Sequence, residues 1–367
     1  MKGFNVVERR KIEHLIISLR LYDEERRYAN TLFDDIYLIH NAIPEMNLED
    51  VDTSTKFLGH NLKAPIIVEG MTGGFELAKK LNGVIASAIE ELGLGMGVGS
   101  QRAALENPEL IETFKVAREK APTSFLIGNI GATQVALSYS LDDLIKVIEM
   151  INADALAIHF NTLQECIQFE GEPKFRGITE KLREFCKCLD RPIIAKETGC
   201  GFSKEDARKL ISIGVKALDV SGVGGTSFAL IEGLRAKIYG NTLKHEISKT
   251  FAKWGIPTAL SILEVRSVSR DIPLIASGGI RTGLEVAKAI ALGADVVGIG
   301  LPVLKHAIQG GVEGVISYLN KVILEFRIAM LLVGASNVDE LKKKPVVLSQ
   351  RIVNWLNQRG ITFRTLN

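Results

Sequence analysis

The chain has 367 residues, 46% of them apolar and 24% charged, the balance of a water-soluble chain with a large core. Its net charge of +2 gives no reason to expect nucleic-acid binding, so any basic cluster has to be read locally. The longest apolar runs, such as 153–158 and 295–301, fall far short of the roughly 20 residues that span a bilayer, so no membrane association is expected. The opening stretch MKGFNVVERRKIEHL lacks the apolar core of a secretory leader, which predicts a cytoplasmic protein. Of the four cysteines, only Cys186 and Cys188 are close in sequence. That spacing has no second pair to complete a zinc site, so all four are expected to be reduced thiols.

Residues 1–63 predict an N-terminal helix followed by short strands. A repeating pattern then begins. Short apolar runs alternate with amphipathic segments: PIIVEG from Pro65, LGMGVGS from Leu94, FLIGNIG from Phe125, ALAIHF from Ala155, PIIAKE from Pro192, ALDVSG from Ala217, PLIASGG from Pro273 and DVVGIG from Asp295. Unbroken apolar runs separated by helices mark parallel strands buried on both faces. Eight such units without a break in composition favour a closed (β/α)8 TIM barrel over an open doubly wound sheet. The chain is thus expected to be a single α/β domain: an N-terminal extension (1–63), the barrel (64–310) and a C-terminal helical segment (311–367). Residues 222–255 form a long insertion before a helix that starts near Pro257, and long insertions in barrels are often lids or binding loops.

Active sites of such barrels lie at the C-terminal ends of the strands. The first run is followed by Glu69, Thr72 and two glycines, and the second by Ser100-Gln101-Arg102. The third ends at Asn129, and the fourth at His159 and Asn161, with Gln164 and Glu165 beyond. The fifth ends at Lys196-Glu197, the sixth at Ser221 with a Gly-rich loop to Thr226, the seventh at SGGIRTG (277–283) and the eighth at Gly300. Glycine loops after the last two strands commonly cradle a phosphate with backbone N–H groups and a helix N-terminus.

A lysine at the end of a buried strand is costly unless paired. Lys196 reads as a Schiff-base lysine, an ion-pair partner or a cation beside an electron-rich cofactor. Strand alternation points it away from Glu197. Taken alone, Arg10 and Lys11 read as a solvated helix face, Glu165 as a surface acid and His159 as a satisfied barrel histidine. Glu165 also suits Mg2+, which takes oxygen ligands, often one carboxylate plus substrate phosphates.

Eight stretches together are specific: RRKIEH (9–14), GMTGG (70–74), GVGSQR (97–102), HFNTLQE (159–165), KETGCG (196–201), SGVGGTSF (221–228), SGGIRTG (277–283) and GLPVL (300–304). On these the chain resembles the type 2 isopentenyl-diphosphate isomerases along essentially its whole length. Two departures are visible. Phe169 stands where the family often has proline, and Phe228 where related sequences carry tryptophan.

The resemblance implies a reversible isomerisation of isopentenyl diphosphate to dimethylallyl diphosphate in isoprenoid biosynthesis. Reduced FMN would act as the acid–base catalyst, with NADPH or NADH as reductant and Mg2+ as the metal. By position it assigns Met71, Thr72, Gly73, Ser100, Asn129, Lys196, Ser221, Thr226, Gly278, Gly279, Ile280, Arg281, Gly300 and Leu301 to FMN. Arg10, Lys11, Ser100, Gln101, Arg102 and Gln164 go to the diphosphate substrate, and Glu165 to Mg2+. Gln164, His159 and Asn161 form the catalytic group. The resemblance further implies a homo-oligomer, a tetramer or octamer. The alternatives are a 2-hydroxy acid oxidase-type barrel, whose late His-Gly-x-Arg arrangement is absent from the sequence, and a non-catalytic phosphate-binding barrel.

Overall fold

The computed structural model describes residues 6–22 and 29–363, so both ends of the chain lie outside the described residues. Eight strands form a closed parallel ring: β1 (Ile66–Val68), β2 (Gly95–Gly97), β3 (Leu126–Gly131), β4 (Ala155–Phe160), β5 (Ile193–Glu197), β6 (Ala217–Asp219), β7 (Leu274–Ser277) and β8 (Val296–Ile299). Each pairs with the next in sequence, and β8 returns to β1 through Val297↔Ile66. Every strand falls inside its predicted apolar run.

Alternation divides the core in two. Ile66, Val68, Leu126, Leu156, Ile193, Ala195, Leu218 and Leu274 face the surrounding helices. Ile67, Ile127, Ala157, Ile194, Ala217, Ile275 and Val296 fill the barrel interior. The interior cluster also takes in Phe57 and Leu62, from the antiparallel pair Thr55–Phe57 and His60–Leu62. That hairpin contributes to the filling of the interior, as the barrel architecture requires of a packed core rather than a pore. The register also carries the polar pattern: residues 194 and 196 share a face, as do 217 and 219, so Lys196 and Asp219 both point inward.

Helix α1 (Val6–Leu21) is the predicted N-terminal helix. A short helix, α2 (Thr162–Ile167), follows β4. The predicted long insertion folds as two helices, α3 (Phe228–Ile238) and α4 (Thr242–Thr250), before the helix Thr258–Arg266. None of the described helices is long and apolar enough to cross a membrane.

The C-terminal segment holds helices and one strand. Helix α5 (Leu301–Leu332) starts directly after β8 and is kinked at Gly311 (φ 59°), where the backbone leaves helical geometry and two helical segments meet. The strand, Val346–Leu348, pairs antiparallel with Ile36–Leu38 of the N-terminal extension. A last helix, α6 (Gln350–Arg359), is fixed by the fully buried Glu264, which accepts from Trp355 Nε1 (2.8 Å) and Arg359 Nε (2.8 Å).

Candidate active site

A cavity of about 300 Å³ opens at the C-terminal ends of the strands, walled by all eight strand-end loops and by α1. At its floor, Lys196 Nζ lies 2.7 Å from Glu69 Oε2 and 2.5 Å from Asp219 Oδ2. Ser277 Oγ donates to the other Asp219 oxygen (2.5 Å). Burial works to lower the Lys196 pKa, but the Asp219 and Glu69 carboxylates reverse this and hold it above the usual lysine range. Such a lysine stays cationic, which disfavours the Schiff-base reading, since that chemistry needs the neutral amine. Burial, followed by the nearby Asp219 carboxylate, pushes Glu69 up to about 7. Glu197 faces outward as predicted, and accepts backbone N–H groups from Thr198 (2.6 Å), Cys200 and Gly201 (3.1 Å).

One side of the cavity is made of backbone. Gly278 and Gly279 have φ of +101° and +80°, the left-handed region that favours glycine. A Cβ on Gly278 would sit 2.2 Å from Gly222 O, and one on Gly279 2.3 Å from Gly224 O. The loops after β6 and β7 therefore pack backbone to backbone, as no other residue would allow. Beside them Gly300 caps the N-terminus of α5, and Leu301 begins the helix. Arg281 stacks on Tyr22 at the end of α1 (4.4 Å from ring centroid).

The opposite side is cationic. Arg10, Lys11 and His14 of α1 line it, with Arg102. Lys11 Nζ donates to Gly73 O (2.5 Å) and Ser100 O (3.0 Å), and burial with the adjacent Arg10 lowers its pKa to about 7. Arg102 is held by Glu106 (2.7 Å). With its amide turned so that the NH2 faces Glu232, Gln168 bridges this wall to the insertion, donating to Glu232 Oε1 (3.0 Å) and accepting from Arg10 Nη1 (3.0 Å). The turn beyond it closes without the family's proline, Gly171 N–H donating to Gln168 O (3.1 Å).

Between the two sides lie His159, Asn161, Gln164 and Glu165. His159 Nδ1 sits 2.7 Å from Asn129 Oδ1, which places the proton on Nδ1 when the Asn129 oxygen faces it. Burial, then Lys196 and Lys11, pulls the His159 pKa down to about 4, so the ring is neutral at neutral pH. Glu165 accepts from Asn161 Nδ2 (3.0 Å) and from the Glu172 N–H (2.8 Å). Gln164 Nε2 donates to Glu232 Oε1 (2.9 Å).

Of the residues expected on cofactor, substrate or metal or in the catalytic group, two do not line the cavity: Gln101 and Gly73. Gln101 was expected on the substrate. It is instead fully buried, donating to Val147 O (2.8 Å) and accepting from the Asn129 N–H (2.9 Å). It braces the Asn129 strand end because the helical turn after Ser100 points its side chain into the core. Gly73, expected on the cofactor, offers its carbonyl to Lys11 and has no room for a Cβ against Phe114. Asp219, His14 and Glu232 had been assigned no role. Asp219 carried a usable signal: a carboxylate inside a buried strand is as costly as Lys196, and each answers the other. Glu232 lay in a helix of no marked pattern.

The residues present fit a flavin phosphate and ring. The glycine walls admit a close backbone approach, Lys196 supplies a fixed cation, and Glu69 Oε1 and Thr72 Oγ1 are buried without protein partners in residues that line the cavity. Among the described residues there is no cluster of three or more His, Cys, Asp or Glu side chains able to cage a metal. Glu165 alone suits an ion whose other ligands come from substrate phosphates and water.

The fold and site thus define a (β/α)8-barrel protein with a glycine-walled cavity over a buried lysine at its strand ends. Residues 159–348 match the family of FMN-dependent dehydrogenases. Over 362 residues the chain is 50% identical to the isopentenyl-diphosphate delta-isomerase of Sulfurisphaera tokodaii (98% of this chain and 96% of that protein). It is 47% identical to the protein of the same name from Metallosphaera sedula (96% and 96%). The chain belongs to the isopentenyl-diphosphate delta-isomerase family. A solved mandelate oxidase structure superposes with a TM-score of 0.62, covering 92% of each chain at 18% identity, a likeness of fold alone.

Proposed function

We propose that this enzyme interconverts isopentenyl and dimethylallyl diphosphate, as a step of isoprenoid biosynthesis in the cytoplasm. The observation that carries this reading is one cavity with Lys196 at its floor and two differently equipped walls, glycine backbone on one and Arg10, Lys11 and Arg102 on the other. The cationic wall suits a diphosphate, since arginine forks engage phosphate oxygens in pairs. Glu165 would hold Mg2+ against those oxygens. FMN, reduced by NADPH or NADH, would supply an electron-rich ring able to give and take a proton.

This chain's own residues then position, neutralise and exclude water. Lys196 would stabilise negative charge on the ring edge that faces it. Neutral His159 and the amides of Asn161 and Gln164 would hold the hydrocarbon end without offering a strong base. Helix α1 would cover the site and keep water from capturing a cationic intermediate. Exposed apolar side chains, Tyr37, Ile43 and Val347 among them, provide surface for a homo-oligomer, a tetramer or octamer.

The test is to load the protein with FMN and Mg2+, reduce it anaerobically, and follow isopentenyl diphosphate by NMR in D2O. Dimethylallyl diphosphate carrying deuterium is expected. Bound FMN with no conversion would sink the proposal and leave a non-catalytic phosphate-binding barrel.

A further inference from the structure

The isomerase reading leaves one deeply buried cation without a task. Arg235, on α3, is 1% exposed and does not line the cavity. Its guanidinium meets carboxylates from three parts of the chain. Nε donates to Glu13 Oε2 on α1 (3.0 Å), Nη1 to Glu232 Oε2 on its own helix (2.7 Å), and Nη2 to Glu170 Oε1 in the turn after α2 (2.7 Å). Phe169 packs against the guanidinium, 4.9 Å from ring centroid. A buried ion cluster of this kind adds little stability over apolar packing. What it does provide is a fixed geometry, and that geometry reaches the cavity by two routes.

The first route is α1. Glu13 also accepts from Arg9 (3.1 Å) and from the Tyr239 hydroxyl, so this face of α1 is pinned to α3. Arg10 and Lys11, which line the cavity, lie within one turn of Glu13 on the same helix. The second route is Glu232. One of its oxygens is taken by Arg235, and the other lies 2.9 Å from Gln164 Nε2, 2.8 Å from His14 Nε2 and 3.0 Å from the Gln168 amide that also holds Arg10. A carboxylate at this place only accepts. The Gln164 amide must therefore turn its NH2 toward Glu232 and its carbonyl oxygen away. Burial pushes Glu232 up, but His14 and Arg235 overcome this and hold it down at about 2.

We propose that Arg235 is a positioning residue for both ends of the substrate site. Through Glu13 it sets where α1 presents Arg10 and Lys11, and through Glu232 it sets which way the Gln164 amide faces. The inference rests on the isomerase reading for its meaning in turnover, whereas its α1 route is tested by binding alone.

The experiment compares the FMN-loaded full chain with its Arg235→Lys and Glu13→Gln variants. A lysine keeps the charge, but one ammonium on a flexible stem does not span three carboxylates. For Arg235→Lys, inorganic pyrophosphate affinity and kcat should each fall on the order of tenfold, with FMN affinity and Tm close to wild type. For Glu13→Gln, pyrophosphate affinity and KM should worsen while kcat stays within about twofold, because the Glu232 route is intact. Wild-type pyrophosphate affinity and kcat in Arg235→Lys would overturn the proposal. So would a parallel loss of FMN affinity and Tm, the sign of a structural role. If Arg235→Lys does not fold, Glu13→Gln still decides, and unchanged pyrophosphate affinity there refutes the α1 route. A wild type that binds pyrophosphate without isomerising defeats the functional reading, not this one.

Discussion

Lys196 illustrates how a single side chain is defined by the register that surrounds it. It sits opposite Asp219 in the β5–β6 pairing, with Glu69 reaching it from β1, so two carboxylates share one ammonium. Replacing Lys196 by alanine strands both carboxylates in a buried floor. Stability should drop by about 3–5 kcal/mol and FMN affinity should fall, read by urea denaturation and by flavin fluorescence titration. Wild-type FMN affinity in that variant would remove Lys196 from the cofactor site. Glu165 gives a second test. With Glu165→Gln, the Mg2+ concentration needed for half-maximal turnover should rise, and unchanged metal dependence would count against its ligand role.

Lys11 yields a pH prediction. Unfolded, it titrates near 10.5, whereas burial lowers it to about 7 in the fold. Between those values the unfolded chain holds a proton that the ligand-free fold lacks. Stability from this residue is therefore greatest at the alkaline end and declines as pH falls toward 7. A bound anion favours the charged amine. On binding pyrophosphate at pH 8 the wild type should therefore take up about one proton more than a Lys11→Met variant, seen as a difference in how the two binding enthalpies vary with the buffer's ionisation enthalpy, and the difference should be small at pH 6. Equal proton linkage in the two proteins at pH 8 would contradict it.

At the scale of elements, the structure separates those that build the site from those that brace it. The eight strands were legible because a two-sided buried strand needs an unbroken apolar run. The insertion was legible in length but not in form. Helix α3 is mostly buried, so it has no clear polar face to mark it, and Glu232 and Arg235 hide within it. Helix α6 is a brace: Arg359 reaches Glu264 and Glu205, far along the chain from the strand-end loops. Arg359→Ala should lower stability by about 1–2 kcal/mol, a modest figure because the guanidinium is partly solvated, while FMN affinity stays at the wild-type value. Thermal unfolding with a parallel FMN titration checks both halves.

At the scale of the whole molecule, the barrel fixes where the chemistry sits. Apolar side chains, including Phe57 and Leu62, pack the interior, and the open end gathers residues from position 10 to position 304 into one cavity. Periodicity by itself determined the barrel, because each strand's apolar run is a local consequence of burial on two faces. Glycine loops and strand-end polar residues marked the rim for the same reason, and motif resemblance supplied a family that the comparisons then bore out. Only the tertiary structure decided the pairings: Lys196 with Asp219 and Glu69, Gln101 turned into the core, α1 laid across the mouth, and Arg235 joining α1 to α3. Those depend on contacts between residues tens to hundreds of positions apart, such as Glu13 with Arg235. No local pattern encodes such distances, because the free energy of each contact exists only once the barrel has brought the partners together.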